Sequence, residues 1–393
     1  MKRAFLYKKY SLITFVWVLF STQIFCQSYT DALIYFDAGK LTEAKQQIDE
    51  YIINNETNVN ALILKSKIYY AISANKQYSE TIADGKSIAV EALKTAGNYN
   101  NAMVYSILKA ENFALPLNLH KDITNEGIVY FNSAAERKDK ELFAQALGKF
   151  KKALSFSAYI HQKNWGLPVL DSNNWYYAAK SAIYAGKEEE ALLYAKKIAD
   201  NQILETQTCK DFQPLYEWLV YYYRAAKNEA LLQRYTDVGT LRFPKSAYFT
   251  LNYIDWLREA NNYSQLVATY KLLFSKGFNH RKYKQAYFTD VFFSMQDSSI
   301  NRNFYKKLFE KEITTYISTN STDFKTILLA GKYYRNTGVE LQLENKKANK
   351  QKIISAIHKS NSFLKRIVEN RLAKKEQDLY TEALMLLKLN KGK

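Results

Sequence analysis

Residues 173–200 read NNWYYAAKSAIYAGKEEEALLYAKKIAD, an alternation of apolar and polar positions with a helical period. Trp175, Ala178, Ala179 and Ala182 fall at i, i+3, i+4 and i+7, so they share one helix face. Gly186 comes where that face ends, and glycine accepts the left-handed conformation that closes a helix. A second helix is predicted from about Glu188, with Ala191, Ala195 and Ile198 turned inward. Ala191 is small at the point where two antiparallel helices come closest, and a larger side chain there would overpack.

The same arithmetic recurs along the chain. Tyr35, Gly39, Ala44, Ile48 and Tyr51 form one copy, and Tyr130, Ala134, Ala146, Phe150 and Ala153 form another. Tyr216, Leu219, Val220, Tyr223, Leu232 and Pro244 form a third, with Pro244 placed where a helix pair must stop. Thr250, Leu257, Leu266, Tyr270 and Leu273 form a fourth, with ANNY as its turn. At these residues the chain resembles the tetratricopeptide repeat (TPR) family, a helix–turn–helix unit of about 34 residues. GKEEEALLYAKKI and GKLTEAKQQIDEY carry the resemblance best, which covers residues 28–278 with gaps. The departures are specific. Ala182 stands where the family usually has a large aromatic, and Glu56 and Ala158 stand where it often has proline. The copies starting at Trp175 and Tyr216 lie 41 residues apart, and residues 61–115 are helical in pattern but fit the repeat poorly.

The expected fold is therefore all-α: a right-handed α-solenoid of stacked helix–turn–helix hairpins with longer C-terminal helices. The expected organisation is a leader at 1–26, the solenoid at 27–300, and an elongated repeat and cap at 301–393. In the last segment Ser321, Thr322 or Asp323 caps a helix whose buried side includes Ala330, Tyr333, Tyr334 and Val339. Ile353, Ala356, Ser360, Phe363 and Ile367 share one face of the next, and a final helix starts near Glu376. A solenoid needs an atypical terminal unit to cover its last apolar face. Composition agrees, since 12 Gly and 4 Pro in 393 residues are too few for a turn-rich β architecture.

The N-terminus changes the picture of where the protein works. Lys2, Arg3, Lys8 and Lys9 precede an apolar run at 11–25, the pattern of a secretory signal peptide. Cleavage is expected near Cys26 and Gln27, giving an exported, periplasmic protein. Lipidation of Cys26 is the alternative, although bulky Phe25 precedes it where a small residue is usual. Without Cys26, Cys209 is the single cysteine, so no disulfide within the chain can form.

Candidate chemistry is sparse. The nearest two glycines, Gly331 and Gly338, stand seven residues apart, so no phosphate-cradling glycine loop exists. No CxxC, HExxH or GxSxG occurs, and His120, His161, His280 and His358 are scattered. Glu188, Glu189 and Glu190 sit where a helix N-terminus favours negative charge. No cofactor, metal or enzymatic activity is expected.

The resemblance implies that first helices of successive hairpins line a groove that holds a segment of another envelope protein. The residues it turns to that groove are Asn173, Tyr176, Lys180, Tyr184, Glu217, Tyr221, Arg224, Tyr248, Asp255 and Arg258; packing between hairpins is the competing use of the tyrosines. Net charge is +18, and residues 301–393 hold 20 Lys or Arg against 9 Asp or Glu. Arg281, Lys282, Lys284, Lys346, Lys347, Lys365 and Arg366 are the candidates for a basic surface facing anionic lipid or a wall polymer. Nucleic acid is not expected, because an exported protein seldom meets it.

Overall fold

The structure, a computed structural model, describes residues 28–391 except 80–81, 83, 168–169, 206–210, 296–300 and 345–348. The expected leader with Cys26, and likewise Cys209, Lys346 and Lys347, lie outside the described residues. Among the described residues the regular structure is helical, without strands. Two compact units, Met1–Leu215 and Tyr216–Lys393, divide the chain within the stretch 27–300.

The first unit contains α1 (Ser28–Asp37), α2 (Leu41–Ile53), α3 (Val59–Ala74), the short α4 (Lys76–Ser79), α5 (Gly85–Tyr99) and α6 (Asn101–Ala110). It continues with α7 (Ala114–Arg137), α8 (Lys140–Gln162), α9 (Ser172–Ala185) and α10 (Glu188–Asp200). The pairs α1/α2, α3/α5, α7/α8 and α9/α10 pack as hairpins, each against the next. The division between units falls inside α11 (Gln213–Ala225). The second unit then holds α12 (Glu229–Arg242), α13 (Tyr248–Glu259), α14 (Tyr263–Ser275), α15 (Arg281–Ser294) and α16 (Arg302–Thr319). It ends with α17 (Phe324–Leu343), α18 (Lys350–Val368) and α19 (Gln377–Lys391). Here α13/α14, α15/α16 and α17/α18 pack together, and α19 lies on α18. The chain is an all-α solenoid in its succession of hairpins.

The repeat arithmetic has its physical basis at the helix crossings. Ala44, Ala146 and Ala191 are all fully buried, so the alanine positions are where backbones approach. Gly186 adopts φ +75° and its N–H donates to the Ala182 and Ile183 carbonyls, closing α9. Asp323, from the three possible caps, accepts from the Thr326 N–H at the start of α17. Serine serves the same close approach twice. Ser66 Oγ donates to the Ala89 carbonyl at 2.8 Å, and Ser360 Oγ to the Gly331 carbonyl at 2.9 Å, tying α3 to α5 and α18 to α17.

The stretch 61–115, which fits the repeat poorly, is irregular for a visible reason. Its hairpin α3/α5 is interrupted by α4, and α6 is an added helix before α7. Trp165, from the turn after α8, closes this region: it is fully buried, and its Nε1 donates to Asn101 Oδ1 at 3.1 Å.

Helix-interior glycines fall into two kinds. A Cβ on Gly239 of α12 would stand 2.3 Å from the ring of Phe249, which is fully buried in α13. A Cβ on Gly148 of α8 would meet nothing within 4 Å. Gly148→Ala should therefore stabilise the protein by about 0.5–1 kcal/mol through helix propensity alone. Gly239→Ala should destabilise it by about 1–3 kcal/mol, the overpacking outweighing the same propensity gain. Urea denaturation of the two variants beside the parent checks the opposite signs.

Candidate binding surfaces

The groove candidates on α9 come together around Phe131 of α7. Lys180 Nζ lies 5.9 Å from the Phe131 ring, 5.2 Å from Tyr176 and 5.9 Å from Tyr184, within cation–π range of all three. Tyr184 also packs on Phe143 at 4.9 Å but keeps 46% of its surface exposed. Tyr176 is different. It is buried, its ring stacks on Phe212 at 4.5 Å, and Lys180 donates to its hydroxyl at 3.2 Å. It is a packing residue. Asn173 is half-buried at the start of the helix.

In the second unit the candidates form an ion-pair ladder between α11, α13 and α15. The Arg224 guanidinium donates to Asn252 Oδ1 at 3.3 Å, to Asp255 Oδ2 at 3.3 Å and to Glu259 Oε1 at 2.5 Å. Arg258 donates to Asp255 Oδ1 at 2.7 Å and grips Asp290 with two bonds of 2.9 Å. The Tyr270 hydroxyl also donates to Asp290 Oδ2, at 2.7 Å. The bidentate bond to Asp290 raises the Arg258 guanidinium against its burial, so it is firmly charged. Tyr248 donates to the Glu217 carbonyl at 3.5 Å, and burial followed by the Glu217 charge pushes its hydroxyl up. Tyr221 is 61% exposed and stands on this same first-helix side.

The basic candidates differ in how they are engaged, Lys282 lying 5.0 Å over the Tyr283 ring. Arg281 donates to the Thr322 carbonyl at 2.8 Å and to Asp323 Oδ1 at 3.4 Å, bracing the N-cap of α17. Lys284 lies 3.4 Å over the Phe274 ring, and its burial lowers the ammonium pKa despite Glu312 nearby. Lys282 and Lys365 are exposed, and Arg366 is half-buried in the last turn of α18.

Two features escape any reading of periodicity. The first is a buried polar cluster at the α7–α9 contact. His120 Nε2 lies 2.8 Å from Asp171 Oδ2, and Asn174 Nδ2 donates to Asp171 at 2.9 Å and to Thr124 Oγ1 at 2.9 Å. Asp171 also accepts from the Asn174 N–H, capping α9. Burial alone would raise the Asp171 carboxyl. The hydrogen bond and charge of His120, with Asn174 and Ser157, outweigh that and hold it below the usual carboxylate range. The helix-cap pattern at Asp171 was the available signal; His120 and Thr124 lie 50 or so residues away in sequence.

The second is a groove of about 560 Å³ on the side of the second helices. Val90 of α5, Ile123 of α7, and Leu147 and Phe156 of α8, all of them buried, lie beneath it. Lys94, Lys151, Lys152 and Lys187 rim it, with Glu91 and Glu190. Smaller depressions of about 170 and 360 Å³ adjoin it, sharing Ser87 and, respectively, Lys152 and Glu91. Glu126, in the first of these, accepts from Lys86 at 2.6 Å and Lys149 at 2.7 Å. Burial pushes its carboxyl up, but the two lysines more than reverse this. Among the described residues no cluster of three His, Cys, Asp or Glu side chains is placed to hold a metal ion.

No protein-family profile matches the chain, and no curated protein matches it. Two solved structures align along most of its length. The TPR domain of P58(IPK) shares 11% identity, covering 94% of this chain and 99% of its own, with a TM-score of 0.26. The Cut9–Hcn1 hetero-tetramer of APC/C shares 11%, covering 91% and 75%, with a TM-score of 0.23. At such scores the superpositions carry no weight beside the helix packing itself. By its own hairpins, the chain is TPR-like.

Two stability effects follow from these sites. The lowered carboxyls of Asp171 and Glu126 stabilise the first unit fully above about pH 5, and this is lost as pH falls through about 4 and below. Asp171→Asn should cost about 1–2 kcal/mol at neutral pH and less under acid, seen as convergence of parent and variant urea curves. In the second unit, Arg258→Met leaves Asp290 buried without its cation and should cost about 3 kcal/mol. Arg258→Met with Asp290→Leu should recover much of that loss in a double-mutant cycle read by denaturation.

Proposed function

We propose that the protein is an exported, non-enzymatic scaffold of the cell envelope that holds segments of other proteins on its stacked hairpins. What supports the reading is the first-helix side of each unit, where Tyr184 in the first keeps 46% and Tyr221 in the second 61% of its surface exposed while neighbouring residues are locked by packing and ion pairs. Ordered neighbours lower the conformational cost of binding, and exposed tyrosines combine apolar area with a hydrogen-bonding hydroxyl. Export rests on the basic and then apolar N-terminal segment.

A second reading has its own support. The excess of Lys and Arg after residue 300, with Lys365 exposed, suits a surface for anionic lipid or a wall polymer.

A photo-cross-linking amino acid in place of Tyr184 or Tyr221 is expected to give a discrete protein adduct in living cells. The same probe at exposed Lys388 should give none. Absence of adducts at both tyrosine positions, in variants that fold normally, would reject the scaffold. A fusion of residues 1–40 to alkaline phosphatase should be active outside the cytoplasm, and an inactive fusion would reject export. Co-sedimentation with anionic vesicles, lost at high salt, would favour the second reading instead.

A further inference from the structure

We infer that the groove walled by α5, α8 and α10 is a docking slot for an acidic peptide segment carrying apolar anchor side chains. The inference rests on the scaffold reading, and it adds a docking site on the second helices to the first-helix face.

Charge supplies the first argument. Lys94 is already paired with Glu91 at 3.1 Å and Lys151 with Glu190 at 2.9 Å. Lys86 and Lys149 share Glu126. Among the described residues, Lys152 and Lys187 have no carboxylate within ion-pair distance, and both line the groove. Lys152 also lines the adjoining depression, so its side chain is shared by the two. The rim therefore offers uncompensated positive charge to a ligand with carboxylates.

The floor decides the rest of the ligand. Half-buried Ala144, with the edges of Val90 and Ile123 over the buried Leu147 and Phe156, gives a narrow apolar strip that a simple polyanion would leave unused. A peptide satisfies both, with apolar side chains down and carboxylates at the rim. The adjoining depression beside Ile52, Leu62 and Ile88 lengthens the slot toward α2 and α3, which suits an extended segment.

Gly148 supplies an independent argument. It sits in the middle of α8 at the groove wall, exposed, with no atom near its absent side chain. Gly239 is required by a facing phenylalanine ring, but no such neighbour requires Gly148. A helix-interior glycine without a packing reason keeps space open for a backbone that arrives from outside.

The test uses the purified protein and a fluorescein-labelled peptide of about twelve residues alternating Glu or Asp with Leu or Phe, long enough to cross the slot at roughly 3.3 Å per residue. Comparators are the same apolar residues alternating with Lys, polyglutamate of equal length, and polyphosphate. Fluorescence polarisation is expected to show the acidic apolar peptide binding at least about tenfold more tightly than any comparator. Lys152→Glu with Lys187→Gln should weaken it about tenfold, with the parent's salt dependence reduced. Gly148→Leu should weaken it as much while raising the melting temperature, which separates a blocked slot from a damaged fold. Lys245→Glu, in the second unit, should change nothing. Equal binding of polyglutamate or polyphosphate would overturn the peptide assignment in favour of an anionic polymer. Unchanged binding in both groove variants, or no binding of the acidic apolar peptide, would overturn the slot. Adducts at Tyr184 and Tyr221 would then still support the scaffold, so the two ideas can fail separately.

Discussion

The structure depends on close approach of paired helices at positions where the side chain is a methyl group or less. Ala44, Ala146 and Ala191 are fully buried, and Gly127 and Gly239 face phenylalanine rings of neighbouring helices. Interiors pack at near-crystalline density, so one surplus carbon at such a crossing displaces a ring or a helix. Large residues then fill the space that the small ones open. Phe150 lies against Gly127 and Phe249 against Gly239, and both rings are fully buried.

The two units hold successive hairpins in register by different polar means. In the first, His120, Asp171 and Asn174 form a buried cluster between α7 and α9. In the second, Arg224 and Arg258 tie α11, α13 and α15 through Asp255 and Asp290. Both arrangements give partners to carboxylates that would be costly to bury alone. Their contribution is to fix which hairpin faces which neighbour, while apolar burial supplies the bulk of the driving force. The residues that lock this geometry are the ones that leave Tyr184 and Tyr221 as outward features on an ordered surface.

A functional contrast follows from the same packing. First helices are bound to one another by aromatic and ionic contacts, whereas second helices α5 and α8 leave a groove between them with the buried Ile123 of α7 beneath it. The added helix α6 and the interruption at α4 belong to this irregular region. Departure from strict repetition is thus where a cavity opens, because identical hairpins would close on each other in the same way each time.

Helical period, the glycine stops and the small-residue crossings were legible along the chain, since each depends on residues fewer than about twenty apart. Asp323 and Gly186 act as their local chemistry dictates. Arg224 and Arg258 stand 34 residues apart, and Asp255 and Asp290 stand 35 apart, so a repeat-phased charge pairing was also written there. That signal points equally to a groove lining and to a ladder. Only the folded geometry shows the ladder itself, with Arg258 bidentate on buried Asp290. Likewise Tyr176 and Tyr184 occupy one helix with similar surroundings in sequence, yet Phe212 from a later segment covers one and leaves the other exposed. The groove joins Lys94 of α5, Lys152 of α8 and Lys187 from the turn before α10. Local period governs which face of a helix is apolar; what covers that face is set by segments distant in the chain, and so belongs to tertiary structure alone.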